Sequence, residues 1–450
     1  MKKKVLSVLL ATAMTATLLV GCGGSGEGSA AASTEAPAAK EEAAAAESGA
    51  SEGGNKLTVY AWDANFNIPA LEAAAADYKA NVDDTFELEI IEQSQSSDVE
   101  NAITLAASAG DYSTLPDIVL FQDHWIQKYV ADYPDAFVPV DDADVDWNDF
   151  GAEKLSYSTI GGKHYGFPVD NGTVVFAYRV DLLEECGYTL DDMTGISWAD
   201  FIKVGEEVYN KTGKYLLSMD GDGNDLIYMM LQAEGESQFK DGKPNIVNNA
   251  KLVEIIKILD EMLDKNVLYL ANDWSGYTDQ TIIGDMVAGV MNGNWIIPTI
   301  EQVAENSGKW EITSLPTIAG GEGYASNGGS SLYITANCKN TDLAKSFLAY
   351  TFGGSSVTYD AALKDGGVIT TCISAGASDV YNEGVEYFNN QPIYAKIVEM
   401  GSHVPVIEQS DYHYTCRTQI ATALINIQNG EDVMTALQAA EDQLNFEMGN

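Results

Sequence analysis

Lys56-Leu-Thr-Val-Tyr-Ala-Trp62 alternates its side chains in the manner of a strand, and Ile68 to Lys79 follows with small apolar residues at helical spacing. That β-α unit is repeated. Thr85 to Ile91 alternates around Phe86, Leu88 and Ile90, and a helix is expected over Val99 to Ala109. Pro116-Asp-Ile-Val-Leu-Phe121 is a short apolar run of the kind that forms a buried parallel strand. Asp181 to Gly187 reads as a helix with Asp181 as N-cap, Glu184 three residues on and Gly187 as stop. Ser197-Trp-Ala-Asp200 opens another in the same way, with Trp198 in the core. Leu252, Ile255, Ile256, Leu259, Met262 and Leu263 mark a strongly amphipathic helix, and Ile420, Ala423, Leu424 and Ile427 mark one near the end. Alternating strands and helices make the class α/β.

Upstream of that first strand the chain has a different character. Lys2, Lys3 and Lys4 precede an apolar run from Val5 to Val20 that is too short to span a bilayer comfortably, which reads as a signal peptide over residues 1–21. Leu19-Val-Gly-Cys22 resembles the lipobox of bacterial lipoproteins, so Cys22 is expected to carry a diacylglycerol and hold the protein at the outer face of the cell membrane. Residues 22–55 are then a tether. From Gly23 to Asn55 nearly every residue is Gly, Ser, Ala or Glu, with no aromatic and no aliphatic side chain larger than Ala, and so little to bury against the entropy of ordering. A helix through Glu41 to Glu47 would be marginal alone.

Charge narrows the partners. The chain has 67 acidic and 24 basic residues, a formal charge of −43, and losing the first 21 residues removes three lysines and no acid. Nucleic acid and anionic lipid surfaces are poor partners for such a field. Solubility accounts for it, and a cationic solute such as a polyamine is the functional alternative; net charge does not choose between them, because a cleft can differ in sign from the surface around it. Of five cysteines, Cys22 belongs to the anchor. Cys186, Cys338, Cys372 and Cys416 form no C-x-x-C pair, and with only four histidines no zinc site is expected. Cys372 with Cys416 is the first disulfide to test, and buried free thiols are the equal alternative.

Six stretches then resemble one family, in its order: Pro116-Asp-Ile-Val; Gly162-Lys-His-Tyr-Gly-Phe-Pro168; Phe176-Ala-Tyr-Arg-Val-Asp-Leu-Leu183; Val287-Ala-Gly-Val-Met-Asn-Gly-Asn-Trp295; Leu315-Pro316; and Asn327-Gly-Gly-Ser-Ser before the Thr341 helix. They are similar to extracellular solute-binding proteins of the sugar-binding class, the class of maltose-binding protein, across Lys56 to Asn450. Arg179 departs from the pattern, which has Asn there. The resemblance implies a two-lobed fold with a ligand cleft at the hinge. Lobe one is expected over 56–167 plus 316–369, and lobe two over 168–315 plus 370–450. It implies capture of a small solute, most simply a sugar, by a monomer that closes by hinge bending and delivers to the permease of an ABC importer, with no cofactor and no catalysis.

A pyranose offers hydroxyls at its edge and C–H patches on its faces, so a sugar site needs acids and amides beside aromatic rings. The ends of strands supply both, where open α/β sheets bind ligands: Trp62 and Asp63, Asp123 with His124 and Trp125, and Asp170 with Asn171. The resemblance carries a cleft acid onto Asp170 and a stacking ring onto Trp295, with Tyr178, Trp274, Asn294, Gly328 and Tyr412 as further candidates. Asp63 and Asp123 are equally suited to capping the helices that follow them, and Trp62 and Trp125 to packing. Asp220-Gly-Asp-Gly-Asn-Asp225 begins like a calcium loop, but position twelve falls on Leu231. Gly320-Gly-Glu-Gly and Gly353-Gly-Ser-Ser lack the lysine of a phosphate loop and read as turns. A secreted glycosidase would also need paired acids near aromatics, and is the rival function.

Overall fold

Residues 53–318 and 323–449 are described in a computed structural model of the chain. The signal peptide, Cys22, the Glu41 to Glu47 segment and most of Gly320-Gly-Glu-Gly323 lie outside the described residues.

Lys56–Ala61 pairs in parallel with Glu87–Glu92 on one side and with Ile118–Gln122 on the other. Ser330–Ile334 then inserts antiparallel between Ile118–Gln122 and Gly166–Asp170, completing a five-stranded sheet. Strand alternation sorts the side chains to two faces. Leu57, Val59, Ile118, Leu120, Leu332 and Ile334 share a core with helices Asn67–Asn81, Thr341–Thr351 and Ser356–Gly366. Tyr60, Val119, Phe121 and Tyr333 share the other with helices Ser96–Ala109 and Asp123–Asp132. Both faces are covered, which is why Ile118 to Phe121 is continuously apolar. Each such side chain contributes about 1.5–3 kcal/mol by leaving water.

A second body has its own core. Val174–Arg179 is the centre of a three-stranded antiparallel sheet between Gly289–Gly293 and Trp310–Thr313, and Leu217–Met219 pairs in parallel with Leu268–Leu270. Helices Trp198–Thr212, Asn224–Ala233, Ala250–Asp264, His413–Gln428 and Val433–Glu447 pack their apolar stripes into that core. The fold is thus two-lobed α/β. The chain passes between the bodies at Asn171–Thr173 and again near Ser326, where Thr173 bridges Ser326 and Asn327 N–H donates to Gly172 O at 2.8 Å. The boundary expected between 167 and 168 therefore cuts through a strand, because Asp170 still pairs with Ser330.

Three local expectations need correction or completion. Asp181 is not the cap of its helix: Arg179 precedes the first turn of Val180–Cys186, and its guanidinium takes both Asp181 carboxylate oxygens at 2.8 Å each. Gly187 does end that helix, in the left-handed conformation a glycine allows. Ser197 caps Trp198–Thr212 as expected, accepting from the Asp200 N–H. Cys372 and Cys416 are not bridged; they are buried free thiols in different cores, and the half-buried Cys186 and buried Cys338 are free as well.

Candidate functional site

The C-terminal ends of Lys56–Ala61, Ile118–Gln122 and Gly166–Asp170 meet the start of Ser330–Ile334 at one edge of the five-stranded sheet. Facing that edge are elements of the second body. Between them lies a cavity of about 410 Å³, within the roughly 300–1,000 Å³ of small-molecule sites. The sheet side supplies Trp62, Asp63, Asn65, Phe66, Asn67, Gln122, Asp170, Gly328, Gly329 and Ser330. The facing wall supplies Trp274, Trp295, Pro298, Thr299 and Gln302.

Trp295 is held in place by its own ring nitrogen, which donates to Asn327 O at 2.8 Å. Gly328 makes this seat possible: its φ is +79°, and a Cβ there would lie 3.0 Å from Trp295 Nε1. Trp274 stands beside it, ring centroids 5.7 Å apart and tilted by 44°, and is 45 % exposed at the rim. A π-helix, Gly276–Ile283, follows it. Two indole faces and Trp62 thus border a cavity that also carries two carboxylates and several amides, the combination a polyhydroxylated ring needs.

Asp170 is 3 % exposed and accepts from Ser330 N–H at 2.9 Å. Burial pushes its carboxyl up to about 6, against the pull of Lys154. Asp63 is exposed, in the left-handed region at φ 67°, with one oxygen taken by Asn65 N–H at 3.0 Å. Neither Asp63 nor Asp123 caps a helix through its side chain.

Other sequence candidates are placed elsewhere. Asp123 lies beneath the cavity, paired with the buried Lys154 ammonium and accepting from Ser331 Oγ at 3.0 Å; Lys154 also donates to Asp170 O at 2.6 Å and Ser330 O at 2.9 Å. Burial raises the Asp123 carboxyl while Lys154 lowers it. Tyr178 is 0 % exposed, stacked on Phe176 at 4.1 Å within the second core, and so cannot meet a ligand. Asn294 lines a separate cavity of about 30 Å³ at the crossing, with Asn171, Thr173 and Thr371. Trp125 stacks on Tyr414 at 4.4 Å, and Tyr412 is half-buried ahead of helix His413–Gln428. The Asp220 loop is turned inward: Asp222 accepts from Asn224 N–H at 3.1 Å, and Asp225 pairs with the Arg417 guanidinium. Arg179, the departure from the family pattern, binds Asp181 and Asp285 and does not line the cavity at the strand ends.

Sequence reasoning missed Asn67, whose buried Oδ1 has no protein partner, and Gln122, Thr299 and Gln302. Gln122 was within reach: it is the last residue of the strand whose end was singled out, and alternation sends it to the cavity and Asp123 behind it.

Residues 73–389 match the family model of bacterial extracellular solute-binding proteins. A lactose-binding protein of Rhizobium radiobacter is 30% identical over 393 residues, covering 86% of this chain and 92% of the relative. An arabinooligosaccharide-binding protein of Bacillus subtilis (strain 168) is 27% identical over 214 residues, 46% of this chain and 49% of the relative. Among solved structures, the sugar-binding protein MalE from Xanthomonas citri aligns with a TM-score of 0.72 at 16% identity, over 88% of this chain and 97% of that one. A binding protein from B. animalis subsp. lactis Bl-04, solved with beta-1,6-galactobiose, gives 0.69 at 19%, over 87% and 97%. These structures speak for the fold; the family match and the lactose-binding relative, with the cavity at the strand ends between two bodies, show that the chain belongs to the bacterial extracellular solute-binding proteins.

Proposed function

We propose that the protein captures a sugar or short oligosaccharide outside the cell and delivers it, unaltered, to the permease of an ABC importer. The cavity carries this reading: its lining combines the indoles of Trp62, Trp274 and Trp295 with the carboxylates of Asp63 and Asp170 and the amides of Asn67, Gln122 and Gln302. The resemblance of nearly the whole chain to a lactose-binding protein supports it, and makes lactose the first probe. Acylation of Cys22 would keep the protein at the membrane, as a monomer on its tether; Cys22→Ala should then partition into the aqueous phase of a detergent extraction, and retention in the detergent phase would count against the anchor.

A thermal-shift screen of lactose, other mono- and oligosaccharides and polyamines tests the solute class. A ligand at about 100 times its Kd adds about 2.7 kcal/mol of stability. Stabilisation by a sugar is expected. Stabilisation by a polyamine alone would overturn the sugar reading, and the cavity gives that outcome a physical basis, since its described lining includes two acids and no Lys or Arg. New reducing ends after incubation with an oligosaccharide would establish turnover instead of capture.

A further inference from the structure

The two bodies also touch away from the cavity, through side chains that titrate. His124, on helix Asp123–Asp132, stacks on His413, the first residue of helix His413–Gln428, with ring centroids 4.5 Å apart and planes at 18°. The first helix is rooted in the first body through Ile126 and Val130, the second in the other body through Cys416 and Ile420. The next residues, Trp125 and Tyr414, stack in parallel beside them. His124 and His413 are 5 % and 3 % exposed.

The hydrogen-bond partners of His413 suit a neutral ring. His413 Nε2 lies 3.3 Å from Arg417 Nη1, a group that only donates, so that nitrogen must be an acceptor; an imidazolium there would set two cations against each other. His124 Nε2 lies 3.1 Å from Tyr157 OH and 3.3 Å from Tyr228 OH. Helix Ala152–Ser158 presents Glu153, Lys154 and Tyr157, and helix Asn224–Ala233 presents Asp225 and Tyr228. The His413 helix adds Tyr414 and Arg417, and the His124 helix adds Asp123. Asp123 is matched with Lys154 and Asp225 with Arg417. Glu153 is reached only through Tyr157, and accepts from Ser326 Oγ at 2.6 Å and Gln232 Nε2 at 3.2 Å, so it bonds the first body to the crossing and to the second body.

We propose that His124 and His413 are positioning residues for solute capture: they hold the two bodies together only while both rings are neutral, and acid parts them. This rests on the reading of the chain as a binding protein that closes on its solute.

The sign follows from burial. Desolvation holds both histidines below their ordinary value, His413 at about 3, with His413, Arg417 and Lys154 adding to the effect on His124. Once parted and hydrated they return to about 6.5. The stacked state therefore binds fewer protons at these rings; it is favoured above that pH and lost as the pH falls. Glu153 opposes them. Burial raises its carboxyl to about 6, so its contribution to the stacked state is full below its ordinary value of 4.5 and is lost as the pH rises through 6. Two histidines outweigh one carboxylate, leaving a net uptake of about one proton on parting near pH 5.5.

Small-angle X-ray scattering of the protein without solute, at pH 7.5 and pH 5.0, reads the separation directly. The radius of gyration is expected to rise on acidification in the wild type and to stay constant in the double variant His124→Gln, His413→Gln. An unchanged wild-type radius overturns the proposal, as does equal expansion of the double variant. Should that variant fail to fold, hydrogen-ion titration of the wild type decides: expansion with uptake of about one proton supports the pair, and expansion without uptake overturns it. Lactose that fails to bind at pH 7.5 by calorimetry counts against the sugar probe and leaves the scattering result standing.

Discussion

Asp170 and Asp123 flank one buried ammonium, Lys154, and their surroundings give them different work. Asp123 spends its charge on Lys154, whereas Asp170 reaches the cavity with its carboxyl pushed up to about 6. Replacing Lys154 by Met should destabilise the protein by about 3–5 kcal/mol, because Asp123 would remain buried and unpaired; chemical denaturation measures this. Asp170→Asn should weaken sugar binding in calorimetry and also change the pH profile of stability. The raised wild-type carboxyl contributes most below its ordinary value of 3.8 and loses that contribution as the pH rises to about 6, so the variant should gain on the wild type across that interval, by about 2–3 kcal/mol. Equal slopes for the two proteins would count against the burial that raises the Asp170 carboxyl. Trp295→Ala should cost roughly 10- to 100-fold in affinity, the worth of about 1.5–3 kcal/mol of ring burial, with the circular dichroism spectrum retained. The strand-end rule pointed to Trp62, Asp63 and Asp170 and the resemblance to Asp170 and Trp295, and all four border the cavity. Alternation separates Gln122 from Asp123, but no local pattern announces Lys154, which claims Asp123 and comes from a separate helix.

At the scale of elements the sequence was most legible where one local interaction decides. Ser197 has an acceptor oxygen, a helix to cap and no competitor, so it caps; Ser197→Ala should lower stability by about 1 kcal/mol while leaving sugar affinity as it was. Asp181 has the same local pattern and does something else, because Arg179 is adjacent and offers a bidentate charged partner worth more than a backbone N–H. The amphipathic helix at Leu252 to Leu263 follows from its spacing alone. The π-helix behind Trp274 does not, since no spacing in Gly276–Ile283 announces its extra residue per turn. Tyr178 failed for a related reason: a strand buried on both faces hides every ring it carries, and the sequence Val174 to Arg179 does not say how many layers will cover it.

For the whole molecule, the class and the two bodies were visible in the alternation of segments, whereas the pairing of cysteines was not. Cys372 and Cys416 are 44 positions apart in sequence yet belong to different cores, a separation that only the fold defines. A reductant should therefore leave the thermal unfolding transition unmoved, and a fall in Tm on reduction would reveal a bridge. The five-stranded sheet carries a last consequence. Its fourth strand in space, Ser330–Ile334, is contributed only after the whole of the second sheet has been made, and it fills the gap between Ile118–Gln122 and Gly166–Asp170. As the chain emerges from its N-terminus, the edge of Ile118–Gln122 waits 208 positions for Ser330 and that of Gly166–Asp170 waits 160. Folding of the N-terminal body is thus a late, long-range event, exposed in the meantime to edge-to-edge aggregation.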